Sequence, residues 1–295
     1  MIRTGICVKC KQSGLTLLEL MLAMTLGLFI VAGVGTGYLS SKQSYATRDQ
    51  ISELDENARM ALRVLTEHIE HAGYAGTSGM PVQNYVIPSG TSITQKACSG
   101  SAVNPRAPNI INSAADGTRS NGGDTIGVSY LADDSLFVDC NGSSLSPECL
   151  PDKTPSRDIG QVYNSFRVDP DNFRNAVGDK VPALQCGGSN NISSQPWAQG
   201  VENIQFRYGV DMNGDRAADN YWTATQVQAS NAWSRILSVQ VALLMRSIDP
   251  IYPDSQSGSY QLLDQTIEAG PDRYKRAVYT TTIRLRNVAR RVESD

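Results

Sequence analysis

The segment LTLLELMLAMTLGLFIVAGVG, residues 15–35, decides how this chain is organised. Its 21 residues carry one charged side chain, Glu19. An apolar run of about 20 residues is what an α-helix needs to cross the hydrocarbon of a bilayer. A carboxylate at the centre of such a helix costs about 3 kcal/mol, so it is expected to have a function and a partner. Glu19 is therefore the first candidate functional residue.

The residues before this run supply a candidate partner. Residues 1–14, MIRTGICVKCKQSG, carry three basic side chains and no acid, which is typical of a segment that stays in the cytoplasm. An ordinary secretory signal is cut after its apolar region, whereas here the small residue Gly14 precedes it. A cut after Gly14 would leave the helix in place and create an α-amino group on Leu15, four residues from Glu19. The alternative is an uncleaved signal anchor.

The sequence KQSGLTLLELMLAMTLG resembles the class III signal of type IV prepilins and type II secretion pseudopilins. That family has a basic leader ending in Gly, an apolar residue, usually Phe, at mature position one and Glu at position five. This chain has Leu in place of Phe. The matching positions are Lys11, Gly14, Leu15, Thr16, Leu17 and Glu19.

The resemblance implies a processing step and a role for the carboxylate. A prepilin peptidase would cut between Gly14 and Leu15 and then methylate the Leu15 amine. In a filament of packed helices, Glu19 would neutralise the amine of a neighbouring subunit, so each buried charge finds its counter-ion on assembly.

The helix is predicted to continue beyond the apolar run, from about residue 15 to residue 72. Gly73 and Gly76 supply a C-terminal stop. Gly27, Gly33, Gly35 and Gly37 either loosen the apolar half or allow close helix packing, and the sequence leaves both open. Apolar residues at three- and four-residue spacing predict an amphipathic second half: Ile51, Leu54, Ala58, Ala61, Leu62, Leu65, Ile69 and Ala72.

The predicted organisation is a leader (1–14), an apolar half-helix (15–36), its amphipathic half (37–73) and a β-rich head (74–295). The fold class is α+β and pilin-like, with the long helix packed on an antiparallel sheet. Long surface loops are expected at 77–123, 141–160 and 250–274. Alternating apolar and polar residues predict these strands: Asp124–Tyr130, Ser135–Cys140, Gln161–Val168, Val201–Val210, Arg235–Met245 and Arg276–Arg286.

Four of the six cysteines fall in the head, which suits an exported domain with disulfides. Cys140 and Cys149 are the favoured pair, because the residues between them read as a turn, and Cys98–Cys186 follows by default. Three connectivities are possible. Cys7 and Cys10 lie in the leader and would be lost on cleavage.

Composition argues against nucleic acid and against catalysis. The net charge is −3, and it becomes −6 without residues 1–14. Outside the leader, clustered bases of the kind that DNA binding needs occur only in the Arg284–Arg291 tail, which is interpreted as the solvent side of a last strand. The only histidines, His68 and His71, lie on the long helix and are interpreted as surface residues. With no histidine in the head, a Ser–His–Asp site is not expected there.

One head segment has the spacing of a calcium loop. Asp211, Asn213 and Asp215 place oxygen atoms at alternate positions, and Asp219 adds another at the ninth. The pattern then departs from an EF-hand, because Arg216 replaces the sixth-position Gly. Calcium is the one candidate cofactor, and the alternative is a turn that needs no ion.

Further segments resemble minor pilins of the PilW family, whose head is similar to J-type minor pseudopilins of type II secretion. They are ARMALRVL, IEHAGYAG, VENIQFRYGVD and TIRLRN, which begin at Ala58, Ile69, Val201 and Thr282. The resemblance implies a low-copy structural subunit that is not an enzyme and that helps initiate type IV pilus assembly in a priming or tip complex.

The partners that this resemblance implies are the prepilin peptidase, other minor pilins, a PilY-type tip adhesin, the major pilin and the inner-membrane assembly platform. The implied location is the inner membrane with the head in the periplasm, and then the pilus fibre. Two alternatives are a type II secretion minor pseudopilin and a membrane-anchored enzyme or ligand-binding domain.

Overall fold

The computed structural model describes residues 16–76, 82, 84–91, 96–97, 104–105, 113–117, 122–144, 160–188 and 195–288. The chain divides into two compact units, residues 1–49 and residues 50–295. Four residues with predicted roles, Gly14, Leu15, Cys98 and Cys149, lie outside the described residues.

Helix α1 (Leu17–Glu70) begins in the first unit, where its apolar side chains face outward. Leu17 is 77% exposed and Phe29 78%, so the described residues leave this apolar surface uncovered. The helix is long and apolar enough to cross a membrane. Its hydroxyls are satisfied within the helix, since Thr25 and Thr36 donate to the carbonyls three residues earlier.

In the second unit, α1 supplies one wall of the hydrophobic core. The predicted apolar stripe is confirmed, except that Ile51 and Leu62 are only partly buried and Val64 joins it. Beyond the helix, Gly73 has a φ of 77°, a left-handed conformation that suits glycine at a helix end. The buried members are Leu54, Ala58, Ala61, Val64, Leu65, Ile69 and Ala72.

Two four-stranded antiparallel sheets complete this core. The first has the order β3 (Ile126–Leu131), β4 (Gln161–Arg174), β5 (Lys180–Gly188) and β6 (Gln195–Gln199). The second has the order β12 (Arg276–Arg284), β9 (Ile236–Arg246), β7 (Val201–Val210) and β8 (Asn220–Trp222). The smaller elements are β1 (Lys96–Ala97), β2 (Asn104–Pro105), α2 (Ala224–Ala229), β10 (Gln256–Leu262) and β11 (Gln265–Asp272).

Five of the six predicted strands are present, and the prediction of a strand at Ser135–Cys140 was wrong. Residues 135–140 form a turn because the Asp133 carboxylate accepts hydrogen bonds from the backbone N–H groups of Ser135 and Leu136. The loop prediction for 250–274 was also wrong, since β10 and β11 form a hairpin there. It packs Leu262 and Ile267 onto Ala242 and Leu244 of β9.

A short segment before β3 joins the two sheets. Gly123 forms a parallel bridge with Ile204 of β7, where the three-residue strand β8 is too short to cover the β7 edge. The Asp124 carboxylate then accepts the N–H of Phe206 at 2.8 Å. Gly123 has a φ of 95°, and a Cβ there would lie 2.1 Å from the Ile204 carbonyl oxygen, so only glycine fits.

The predicted disulfide pairing was wrong. Cys140 is bonded to Cys186 of β5, with the two Cα atoms 6.3 Å apart. The Cys140 N–H donates to Asn164 Oδ1 on β4, which holds the 135–140 turn against the sheet. The sequence prediction relied on the short turn between Cys140 and Cys149. The partner in the structure, Cys186, comes close to Cys140 only through the pairing of β4 with β5.

We expect peptide mapping without reductant to recover Cys140 linked to Cys186. Replacing both residues by Ala should lower the free energy of unfolding by about 2–4 kcal/mol, because the bond closes a loop of 46 residues. Denaturation of the full chain in detergent, followed by tryptophan fluorescence, measures this loss. Recovery of a Cys140–Cys149 or a Cys98–Cys186 peptide would contradict the assignment.

Candidate assembly site

Glu19 lies in the first turn of α1 with its side chain exposed. Its backbone N–H donates to Thr16 Oγ1 at 3.3 Å, and the Leu20 N–H donates to the Thr16 carbonyl. The Thr16 hydroxyl therefore caps one of the free N–H groups of the helix start, and the Leu20 bond is the first of the helix ladder, which leaves the Glu19 carboxylate available. No ion pair of the described residues includes Glu19.

The glycines of the apolar half open the helix surface. A Cβ added at Gly27, Gly33, Gly35 or Gly37 would meet nothing within 4 Å. Packing within the described chain therefore does not require these glycines. The helix also continues through all four, and small residues of this kind let a neighbouring helix approach closely.

The interpretation of the two histidines as surface residues was wrong. His68 and His71 are partly buried, because the end of α1 lies against the first sheet. The His68 ring centroid is 5.7 Å from that of Phe166, and His68 Nδ1 is 3.4 Å from Asn164 Nδ2. Burial lowers the pKa of His68 to about 4, so its ring is neutral at pH 7 and Nδ1 can accept this hydrogen bond.

Asn164 and Asp124 are organising residues that the sequence did not reveal. Asn164 connects His68 to Cys140, so one amide links the helix, the sheet and the disulfide. Asp124 is 4% exposed, and burial raises its pKa to about 7 despite the N–H donors of Gly117 and Phe206. Neither residue belongs to a recognisable motif, since each acts through chain segments that are distant in sequence.

The four calcium candidates do come together in one loop, but their oxygens are occupied by hydrogen bonds. Asp211 accepts the N–H groups of Gly214 and Arg216, which lower its pKa even though desolvation opposes them. Asp219 accepts those of Met212 and Asn213. Over the part of the chain that the structure describes, no group of three or more acids, histidines or cysteines is arranged to hold a metal ion.

Comparison with known families gives two matches that coincide with these features. Residues 9–35 match the model of the prokaryotic N-terminal methylation motif, which spans Gly14, Leu15 and Glu19. Residues 172–287, from the end of β4 to the residues after β12, match the model of the type IV pilus-assembly protein W family, PilW. No curated protein matches the chain.

Among solved structures, a type IV-like pilin from Thermus thermophilus is similar to this chain. The similarity covers 80% of this chain and 97% of that one, at 13% identity and a TM-score of 0.39.

An N-terminal methylation motif at the start of a long apolar helix, followed by an antiparallel β head, is a pilin-like architecture. The match to the type IV pilus-assembly protein W family covers residues 172–287, less than half of the chain, and makes this part of the chain similar to that family. The motif and the apolar helix fit membrane anchoring and incorporation into a pilus.

The two buried titratable groups should affect stability with opposite signs. Asp124 holds its proton up to about pH 7 in the folded head but only to about 3.8 when unfolded, so it destabilises the head as pH rises between these values. His68 takes up a proton at about pH 6.5 when unfolded and at about 4 when folded, so it destabilises the head as pH falls through that range.

We therefore expect two single variants to diverge from the wild type in opposite directions. From pH 4 to 7, Asp124→Asn should gain unfolding free energy relative to the wild type as pH rises, and His68→Gln should lose it. Denaturant titrations of the full chain at several pH values provide the measurement. Profiles parallel to the wild type for both variants would show that neither group titrates as assigned.

Proposed function

We propose that this chain is a minor pilin that is cut after Gly14, is methylated on Leu15 and enters the fibre by pairing Glu19 with the Leu15 amine of a neighbouring subunit. The observation that carries the proposal is an exposed carboxylate in the first turn of an exposed apolar helix. In lipid or among packed helices that charge is costly unless a cation accompanies it. The new amine would be a cation at the same depth.

The role that fits best is initiation of assembly. A single helix with a head of its own can join other minor pilins side by side, and together they can prime the fibre on the inner-membrane platform. We place the head in the periplasm before assembly, at the tip of the pilus afterwards, and in contact with a PilY-type adhesin and the major pilin. The division into residues 1–14, 15–36, 37–73 and 74–295 is part of this proposal.

Two other functions make different demands on the chain. A type II secretion pseudopilin would need the same leader and helix, and its incorporation into a secretion filament instead of a pilus would identify it. A membrane-anchored enzyme would need reactive groups in the head. Both histidines instead pack against aromatic rings, His68 on Phe166 and His71 on Tyr130. We propose that the head works through its surfaces and not through catalysis.

Glu19→Ala should be processed and inserted normally but should fall by about tenfold or more in sheared fibres. Removing one partner of a buried ion pair leaves the other unpaired, at a cost of about 3–5 kcal/mol. Immunoblots of membrane and fibre fractions measure the two pools. Glu56→Ala, an exposed acid farther along α1, is the matched control.

Gly14→Ala controls for processing in the same experiment, because it should retain the leader and migrate as the larger band. Recovery of Glu19→Ala in fibres at the wild-type level, with normal processing, would refute the pairing.

We also propose that the loop of residues 211–219 keeps its shape without calcium, because its carboxylates already accept backbone hydrogen bonds. The melting temperature of the full chain should then differ by less than about 1 °C between excess calcium and excess chelator, since only a bound ligand shifts it. A larger calcium-dependent rise that is lost in Asp215→Asn would establish a metal site instead.

A further inference from the structure

The four edges of the two sheets are protected unequally. An open edge exposes a row of unpaired N–H and C=O groups, and proteins usually shorten, interrupt or cover such edges. The edge of β3 is covered, because Ile87 donates to Gly127, Ser129 to Tyr85 and Leu131 to Tyr74. Strand β8 is only three residues long.

The edge at β6 is protected in other ways. This strand contains Pro196, and its pairing with β5 is irregular between Leu184 and Gln185. The Gln199 N–H donates to Asn57 on α1. Helix and proline together therefore leave this edge unsuitable for another strand.

Strand β12 lacks all of these features. It runs for nine residues, RAVYTTTIR, without proline, glycine or an acid, and it pairs with β9 throughout without a register shift. Its side chains are rich in β-branched residues, which favour extended backbone. Among the described residues, no backbone hydrogen bond covers its outer side.

The hydrogen-bond pattern identifies which groups face outward. Leu285 N–H donates to Leu237, and Lys275 accepts from Ser247, so the odd-numbered residues direct their backbone groups toward β9. In an antiparallel pair these directions alternate along the strand. Val278, Thr280, Thr282 and Arg284 therefore direct their N–H and C=O groups to the open side.

The charged side chains along this edge are all basic. Residues 275–286 carry four basic side chains and no acid, in a chain of net charge −3. Arg276 is neutralised by Glu202 and Asp272, and Arg286 pairs with Glu70. Lys275 and Arg284 stand near the two ends of the strand, and neither has an ion pair among the described residues.

We propose that the outer edge of β12 is a strand-addition site that takes an extended acidic segment of a partner subunit. Backbone pairing along Val278, Thr280, Thr282 and Arg284 supplies the contact, and Lys275 and Arg284 select for acidic side chains. A second copy of this chain would offer the same basic strand and set like charges against each other. The inference rests on the assembly role proposed above, since that role brings a partner subunit to the head.

Hydrogen exchange on the full chain alone tests whether the edge is open. The amides of Val278, Thr280, Thr282 and Arg284 should exchange rapidly, and those of Tyr279, Thr281, Ile283 and Leu285 slowly. Equal protection of both sets would mean that the chain covers its own edge, which would overturn the proposal.

Photo-crosslinking in native membranes identifies the segment that binds at the outer edge of β12. Benzoylphenylalanine replaces Thr280, or Asn220 at the short β8 edge as the control position, and mass spectrometry reads the sequence of the crosslinked peptide. We expect an adduct from position 280 to an acidic segment of another subunit and none from position 220. No adduct from position 280, or an adduct to this chain or to a second copy of it, would overturn the proposal.

Two variants identify the contact as strand addition. In the Thr280 background, Thr282→Pro removes an outward N–H without breaking the β9 ladder, and Arg284→Glu reverses the charge. Each should lower the adduct yield by about fivefold or more, while Thr282→Ala keeps the N–H and the yield. Unchanged yield in both variants, with wild-type melting temperatures, would exclude this geometry. Because the adduct is read on the head in membranes and the Glu19 pairing is read in sheared fibres, failure of one is separable from failure of the other.

Discussion

A carboxylate on an apolar helix surface that its own chain does not cover is the constraint on which the rest of the structure depends. Glu19 and the side chains around it face outward, and the described residues include no ion pair for that charge. In lipid or among packed helices, an acid without a cation beside it costs a few kcal/mol. In the proposed assembly, association with neighbouring helices supplies both the cover and the cation.

In the head, the amphipathic part of α1 is held against both sheets. The Tyr279 hydroxyl donates to Asp55 and the Gln199 N–H to Asn57, so a strand from each sheet is bonded to the helix. Asp124 joins the sheets, and the Cys140–Cys186 bond fixes the neighbouring turn. Of the sheet edges, β3 is covered by residues 74–87 and β6 is bonded to α1, whereas the edge of β12 is left open.

Much of this was predictable wherever one short stretch of sequence carries the signal. The apolar stripe of residues 54–72 and the alternation in β12 follow from side-chain burial on one face, which repeats locally. Strand β5 was not predicted, because both of its faces are buried and it contains Pro182 and two glycines, so its sequence shows no alternation. The β10–β11 hairpin was not predicted, because its polar composition is typical of a loop.

The functional residues also divide into those that the sequence could predict and those that it could not. Glu19 and its surroundings could be identified because leader, cleavage position and acid are adjacent in sequence. The Cys140–Cys186 bond, the burial of His68 and the bridging role of Asn164 could not, because each depends on the register of β4 and β5 and on where α1 ends. Such contacts join residues 24 to 96 positions apart, and no local pattern encodes them.

The central claim is that the Glu19 carboxylate is balanced by a new amine on Leu15. The intact mass of the subunit isolated from sheared fibres tests this claim most directly. The account predicts a chain that begins at Leu15 and carries one additional methyl group on its α-amino nitrogen. A fibre-borne subunit that still begins at Met1 would contradict the account, because no amine would then lie at the depth of Glu19.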